Sequence, residues 1–134
     1  MPTLTMQQLA EMVGGTVIQG GDVTSSSVVI DSREVKPDSV FFAITGERLD
    51  GHQFVPGALE TARGVVVSTV PQNVPAGKGI VQVADTTVAL QQLARAIRDR
   101  YDFLLIGITG SAGKTTTKEM LATLIATERR TFKS

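Results

Sequence analysis

The 134-residue sequence contains no cysteine and no tryptophan, and it has only one tyrosine and one histidine. The absence of cysteine excludes a disulfide framework, a thiolate metal site and a cysteine nucleophile. Thirteen basic and thirteen acidic residues give a net charge of zero. The chain therefore lacks the basic excess that attracts nucleic acid or acidic membranes to a protein, and we expect no nucleic-acid partner.

Long apolar runs are also absent. Residues 1–8 lack the basic start and apolar core of a signal peptide, and no run approaches the roughly 18 apolar residues of a membrane span. We therefore expect no membrane partner and a cytoplasmic location. Apolar residues make up 42% of the chain, which is enough for one ordinary hydrophobic core.

Strands and helices alternate in the pattern of an α/β domain with parallel or mixed strand pairing. In residues 5–13, Thr5 and Gln8 form a capping box and Gly14 provides a helix stop. Asp85 or Thr86 caps the longest predicted helix. The predicted helices are 5–13, 54–62 and 85–101, and the predicted strands are 28–30, 40–44, 65–67 and 80–83.

A second unit begins near residue 103. An apolar strand at 103–108 precedes a glycine-rich turn at 109–113 and a helix at 114–127. We predict a first domain at 1–84, a helix and linker at 85–102, and an incomplete domain at 103–134. Only 21 residues follow Gly113, too few to complete a nucleotide-binding sheet, so the chain is expected to be a fragment.

The glycine-rich turn has the strand-turn-helix context of a phosphate-binding P-loop. Its backbone N–H groups and the helix N-terminus favour phosphate, Lys114 can reach the β and γ phosphates, and the Thr115 hydroxyl can bind Mg²⁺. The strict P-loop pattern needs glycine where this chain has Ile108, and a glycine-rich turn with a surface lysine is the alternative interpretation. The predicted nucleotide-binding residues are Gly110, Ser111, Ala112, Gly113, Lys114, Thr115 and Thr116.

The departure from the strict pattern is itself informative. Residues 107–120, G-I-T-G-S-A-G-K-T-T-T-K-E-M, resemble the nucleotide loop of the Mur ligases, and the final T-K-E-M is most similar to the member that adds D-alanyl-D-alanine. Upstream, D-S-R at 31–33, F-F-A-I-T-G at 41–46 and D-G-H at 50–52 are similar to the family's N-terminal domain, where they hold UDP. The resemblance covers about residues 25–134.

The resemblance implies a fold and a set of site residues. The fold is a small mixed α/β UDP-binding domain, followed by the first strand, P-loop and helix of a truncated ATPase domain. Alternatives from the residues themselves are an ion pair of Arg33 with Asp31 or Glu34, an Asx turn at Asp50 and a structural His52. The resemblance implies that Lys114 is catalytic and that Thr115 binds a metal ion. It also implies that UDP is contacted by Ser32, Arg33, Gly46, Asp50, Gly51 and His52.

The activity that the resemblance implies is an ATP- and Mg²⁺-dependent ligation in peptidoglycan precursor synthesis, which serves cell-wall biogenesis, cell shape and division. Phosphorylation of the carboxylate of a UDP-N-acetylmuramoyl tripeptide gives an acyl phosphate, which D-alanyl-D-alanine attacks. The fragment alone is expected to be inactive. The alternatives are the family member that adds diaminopimelate or lysine as third residue, and a non-catalytic UDP-sugar or nucleotide-binding module.

The apolar strand at 103–108 would lie exposed in a truncated domain. We expect residues 103–134 to pack onto the first domain, to exchange with a second chain in a non-native dimer, or to be poorly ordered.

Overall fold

The computed structural model describes residues 2–100 and Met120. The chain divides into two units between Asp102 and Phe103. The strands of the first unit are β1 (Leu4–Thr5), β2 (Thr16–Gln19), β3 (Thr24–Ser25), β4 (Ser27–Val29), β5 (Ser39–Phe42), β6 (Gly64–Val67) and β7 (Gly79–Gln82). Its α-helices are α1 (Met6–Val13), α2 (Val55–Thr61) and α3 (Thr86–Arg100).

The main sheet has five strands in the order β2-β7-β6-β5-β4. Strands β4 to β7 are parallel to one another, and β2 pairs antiparallel with β7 through a register shift between Val17 and Gln19. Strands β1 and β3 form a separate antiparallel pair. The predicted α/β class with mixed strand pairing is confirmed.

Helices cover both faces of this sheet. Because successive side chains of a strand point to opposite faces, Val40 and Phe42 pack with α1 and α3, whereas Phe41 packs with α2. Strands β5 and β6 are buried along their whole length, which explains their continuous apolar sequence. Ala89 and Leu93 of α3 belong to the same core cluster as α1.

The helix ends follow the predicted local signals. Thr5 accepts a hydrogen bond from Gln8 N–H at 3.1 Å, the Gln8 side chain accepts one from Thr5 N–H at 3.0 Å, and Gly14 ends α1 at a φ of 64°. Asp85 caps α3 by accepting hydrogen bonds from Thr87 N–H and Val88 N–H. No helix within the described part of the chain is long and apolar enough to cross a membrane.

Several predicted boundaries were wrong. Strand β4 ends at Val29, which leaves Ile30 in the following loop and 56% exposed. Helix α2 begins at Val55 because residues Gly51–Phe54 form a 3₁₀ turn, started by the Asp50 carboxylate that accepts from His52 N–H. Strands β1, β2 and β3 were not predicted, since two of them have only two residues and β2 is half exposed.

Candidate substrate-binding site

The carboxyl ends of strands β4 to β7 meet at one edge of the sheet, because these four strands are parallel. Ligands of parallel α/β sheets bind at this edge. The D-S-R motif at 31–33 follows β4, and the D-G-H motif at 50–52 lies in the connection after β5. Two motifs that are 17 residues apart in the sequence therefore follow neighbouring strands, and the loops that carry them share one edge.

The D-S-R motif forms a 3₁₀ turn over Ser32–Glu34. The Asp31 carboxylate accepts a hydrogen bond from Arg33 N–H at 2.9 Å and binds the guanidinium through Nε and through Nη2, the latter at 2.7 Å. The structure thus contains the predicted alternative ion pair with Asp31. The Arg33 side chain remains 87% exposed, so its guanidinium is accessible to an anionic ligand.

The same ion pair shifts the ionisation of both groups. Hydrogen bonds from the Arg33 guanidinium, followed by that from Arg33 N–H, lower the pKa of Asp31 from 3.8 to about 2. The Asp31 carboxylate in turn raises the pKa of Arg33. Asp31 therefore stays ionised and holds the guanidinium fork over the turn throughout the neutral range.

The D-G-H motif is built around an Asx turn. Asp50 Oδ1 accepts from His52 N–H at 3.0 Å and lies 2.7 Å from His52 Nδ1, and these hydrogen bonds lower the pKa of Asp50. A Cβ atom on Gly51 would lie 2.7 Å from the backbone nitrogen of Ile44. Glycine is thus required at residue 51 for the motif to fold back against the end of β5.

The ring of His52 joins this motif to the next strand. Its Nε2 atom lies 3.0 Å from Ser68 N, 3.1 Å from Ser68 Oγ and 3.4 Å from Thr69 N. The side chain is only 16% exposed. The predicted structural alternative for His52 is therefore present, and both of its ring nitrogens are engaged inside the protein.

Residues 45–50 form a tight turn that leads from the end of β5 into the D-G-H motif. Gly46 N–H donates to Leu49 O at 2.8 Å, and Thr45 and Asp50 form an isolated bridge. Leu49 at the tip is 63% exposed. The Gly46 N–H thus closes a turn that follows β5 at the carboxyl edge of the sheet.

A cleft of about 340 Å³ opens beside the ends of β6 and β7. Gln82 Nε2 donates to Ser68 O at 3.2 Å at its wall. Ser68 and Thr69 were not predicted from the sequence, because they belong to no motif. Their position directly after a buried strand is the signal that could have indicated them. The cleft is lined by Gly14, Thr16, Ser68, Gln82, Val83 and Ala84.

The predicted nucleotide-binding residues lie outside the described residues. Within residues 2–100, no group of three or more histidine, aspartate or glutamate side chains is arranged to hold a metal ion. The predicted nucleotide-binding residues outside the described part of the chain are Gly110, Ser111, Ala112, Gly113, Lys114, Thr115 and Thr116.

Comparison with known protein families shows which family the chain belongs to. The model of the "Mur ligase family, catalytic domain" matches residues 24–98, more than half of the chain. The chain belongs to the Mur ligase family. The matched stretch runs from β3 into α3 and contains both the D-S-R and the D-G-H motifs, but it ends before the predicted phosphate loop.

Individual Mur ligases match over nearly the whole chain. The UDP-N-acetylmuramoyl-tripeptide–D-alanyl-D-alanine ligase of Bacillus subtilis is 39% identical over an alignment 134 residues long. The alignment covers 97% of this chain and 29% of that protein. The solved D-alanyl-D-alanyl ligase of Acinetobacter baumannii has a TM-score of 0.83 at 32% identity, with 95% of this chain and 29% of that chain covered.

A Mur ligase solved with a nucleotide is also similar. The MurF ligase of Thermotoga maritima in complex with ADP has a TM-score of 0.66 at 35% identity, with 81% of this chain and 25% of that chain covered. This Mur ligase chain therefore spans less than a third of the length of the relatives it matches.

Proposed function

We propose that residues 2–100 hold the UDP end of a UDP-N-acetylmuramoyl tripeptide, within a ligase that adds D-alanyl-D-alanine to it in peptidoglycan precursor synthesis. The observation that carries this proposal is that the D-S-R and D-G-H loops follow the adjacent parallel strands β4 and β5, at the same carboxyl edge of the sheet. The names of the relatives support the substrate class, since the Bacillus subtilis protein is a UDP-N-acetylmuramoyl-tripeptide–D-alanyl-D-alanine ligase.

In this proposal Arg33 binds the pyrophosphate. Its guanidinium is oriented by Asp31 at 2.7 Å and is 87% exposed, so the guanidinium fork is open to a phosphate ligand. The Ser32 hydroxyl and the exposed backbone around Gly46 supply hydrogen bonds to the remaining polar atoms of UDP. Asp50, Gly51 and His52 shape the loop that carries Gly46.

The nucleotide site is proposed from the sequence of residues 110–116. Lys114 would neutralise the β and γ phosphates of ATP, and Thr115 would bind Mg²⁺. Transfer of the γ-phosphoryl group of ATP to the tripeptide carboxylate would then release ADP and give an acyl phosphate. Attack by the amine of D-alanyl-D-alanine on its carbonyl carbon would release inorganic phosphate and form the amide bond. The ADP bound to the related MurF ligase of Thermotoga maritima supports a nucleotide site in this family.

The binding step can be tested on the 134-residue chain by calorimetric titration with UDP-N-acetylmuramoyl tripeptide. We expect saturable binding that Arg33→Ala weakens about tenfold, equivalent to about 1.4 kcal/mol. Arg63→Ala is the matched control, because Arg63 is exposed at the opposite edge, directly before β6. A folded chain without measurable binding, or equal losses in both variants, would contradict the proposal.

The amine specificity needs the longer protein that the relatives represent. We propose that such a protein consumes ATP with D-alanyl-D-alanine and not with diaminopimelate or lysine. Phosphate release measured with each amine separates the two kinds of Mur ligase. We expect the isolated 134-residue chain to bind the UDP substrate without turnover. Turnover by this chain alone would contradict the proposal that catalysis needs the longer protein.

A further inference from the structure

His52 makes hydrogen bonds through both ring nitrogens, to groups on two different loops. On one side Nδ1 lies 2.7 Å from Asp50 Oδ1, and on the other Nε2 lies 3.0 Å from Ser68 N, 16 residues away. Asp50 belongs to the connection after β5, and Ser68 directly follows β6. His52 is therefore the link between two loops of the candidate site.

The partners determine where the imidazole proton resides. A backbone N–H can only donate, so Nε2 must be the unprotonated acceptor of the hydrogen bond from Ser68 N–H. The ring proton then lies on Nδ1 and is donated to the Asp50 carboxylate. The arrangement requires a neutral histidine in a single tautomer.

We propose that His52 is a positioning residue for the UDP substrate, and that it makes no direct contact with it. By holding the 45–50 turn to the end of β6, the ring fixes Gly46 and its neighbours in the orientation that receives the ligand. The low exposure of the ring, 16%, agrees with this assignment. The proposal rests on the proposed function and changes the role that the sequence motif indicated for His52.

The order Asp50, His52 and Ser68 also has the form of an acyl-transfer triad. A general base must leave its acceptor nitrogen available to the serine hydroxyl. Here Nε2 already accepts from Ser68 N–H, with Thr69 N–H also close at 3.4 Å. The geometry points to a structural role, in which His52 holds Asp50 and Ser68 together; we call this link the lock. Hydrolysis of a p-nitrophenyl ester that Ser68→Ala abolishes would overturn this assignment.

The first test is spectroscopic and needs no variant. His52 is the single histidine of the chain, so a long-range proton–nitrogen correlation spectrum at neutral pH shows one imidazole. We expect a protonated Nδ1 and an unprotonated Nε2, which is the rarer tautomer in water. A protonated Nε2, or the averaged signals of a free imidazole, would overturn the lock without bearing on whether UDP binds.

The second test separates positioning from contact with the substrate. In His52→Gln the longer side chain can still accept a hydrogen bond from Ser68 N–H, whereas in His52→Asn the shorter amide reaches Asp50 but not Ser68. We expect His52→Gln to bind UDP-N-acetylmuramoyl tripeptide within about threefold of the parent chain and His52→Asn to bind about tenfold more weakly. Gln53→Ala, an exposed change in the same turn, controls for disturbance of the 3₁₀ helix.

Each outcome distinguishes the two proposals. Equal losses in both His52 variants would mean that the ring contacts the substrate, and no loss in His52→Asn would mean that the link is not needed. Both results overturn the positioning role and leave the UDP site intact. Absence of binding by the parent chain would instead contradict the proposed function, and with it the positioning role, while the tautomer would still report the lock itself.

Discussion

The side chain of Met6 fills the space that a Cβ atom on Gly79 would occupy. Gly79 begins β7 beside Gly64 of β6, and Met6 at the start of α1 is 1% exposed. The absence of a side chain at this glycine lets the first turn of α1 lie directly on the sheet backbone. This close approach anchors the helix against the amino ends of the two strands.

We expect Gly79→Ala to destabilise the chain by about 1–3 kcal/mol, because the added methyl group must displace Met6 in a packed core. The free energy of unfolding in urea measures the effect. Gly57→Ala in α2 is the matched control, since a Cβ atom there meets nothing within 4 Å. That control should stabilise the chain by up to about 1 kcal/mol through helix propensity, and equal effects at both glycines would refute the packing argument.

Removal of the capping box should weaken α1. Thr5→Ala leaves Gln8 N–H without its side-chain acceptor, so we expect a loss of about 1 kcal/mol in unfolding free energy. Thr3→Ala, an exposed change two residues earlier, should leave stability unchanged. A loss of the same size in Thr3→Ala would show that the cap is not responsible.

Titration of Asp31 should report its ion pair with Arg33. The carboxyl resonance of Asp31 should titrate at a pKa of about 2. In Arg33→Ala the pKa should rise toward the ordinary 3.8 but stay somewhat below it, because the backbone N–H of residue 33 still donates. An unchanged titration midpoint in Arg33→Ala would contradict the pairing.

The same shift predicts a direction for acid stability. Because the pKa of Asp31 is lower in the folded state, its ionised form favours folding above about pH 3.8, and this contribution disappears as the pH falls toward 2. The pair is exposed, so we expect a small effect that salt reduces. The urea midpoints of the parent chain and Asp31→Asn should differ at pH 5 and converge at pH 2. Equal midpoints at pH 5 would contradict a stabilising contribution of the ionised Asp31.

Substitution of Arg33 by lysine tests whether ligand affinity depends on the positive charge alone or also on the shape of the guanidinium group. Arg33→Lys keeps the positive charge but cannot form the guanidinium fork. We expect its affinity for UDP-N-acetylmuramoyl tripeptide to lie between those of the parent chain and Arg33→Ala, when measured by calorimetry at one salt concentration. Affinity equal to that of the parent would show that the fork contributes nothing.

Much of the fold could be predicted because local and tertiary signals agree. The Thr5–Gln8 capping box, the Gly14 stop and the Asp85 cap act within one helical turn, and all three are present. The apolar strands β5 and β6 are buried on both faces, so they have no polar alternation that could be mistaken for a loop. The signals for these elements are contained in short stretches of the sequence.

What was missed depends on contacts between distant residues. Strands β1 and β3 each have two residues and exist because they pair with each other. The role of His52 is set by Ser68, 16 residues away, and no local pattern contains that relationship. The D-S-R and D-G-H motifs predicted the location of a site, and both that location and the assignment of individual residues to UDP stay predictions.

The carboxyl edge of β4, β5 and β6 is where we expect the UDP substrate to bind. The most direct measurement is an amide correlation spectrum of the chain, recorded during titration with UDP-N-acetylmuramoyl tripeptide. We predict that the resonances that shift most belong to residues 31–33, 45–52 and 68–69. Shifts confined to the opposite edge, at residues 36–38 and 75–78, would contradict this placement of the site.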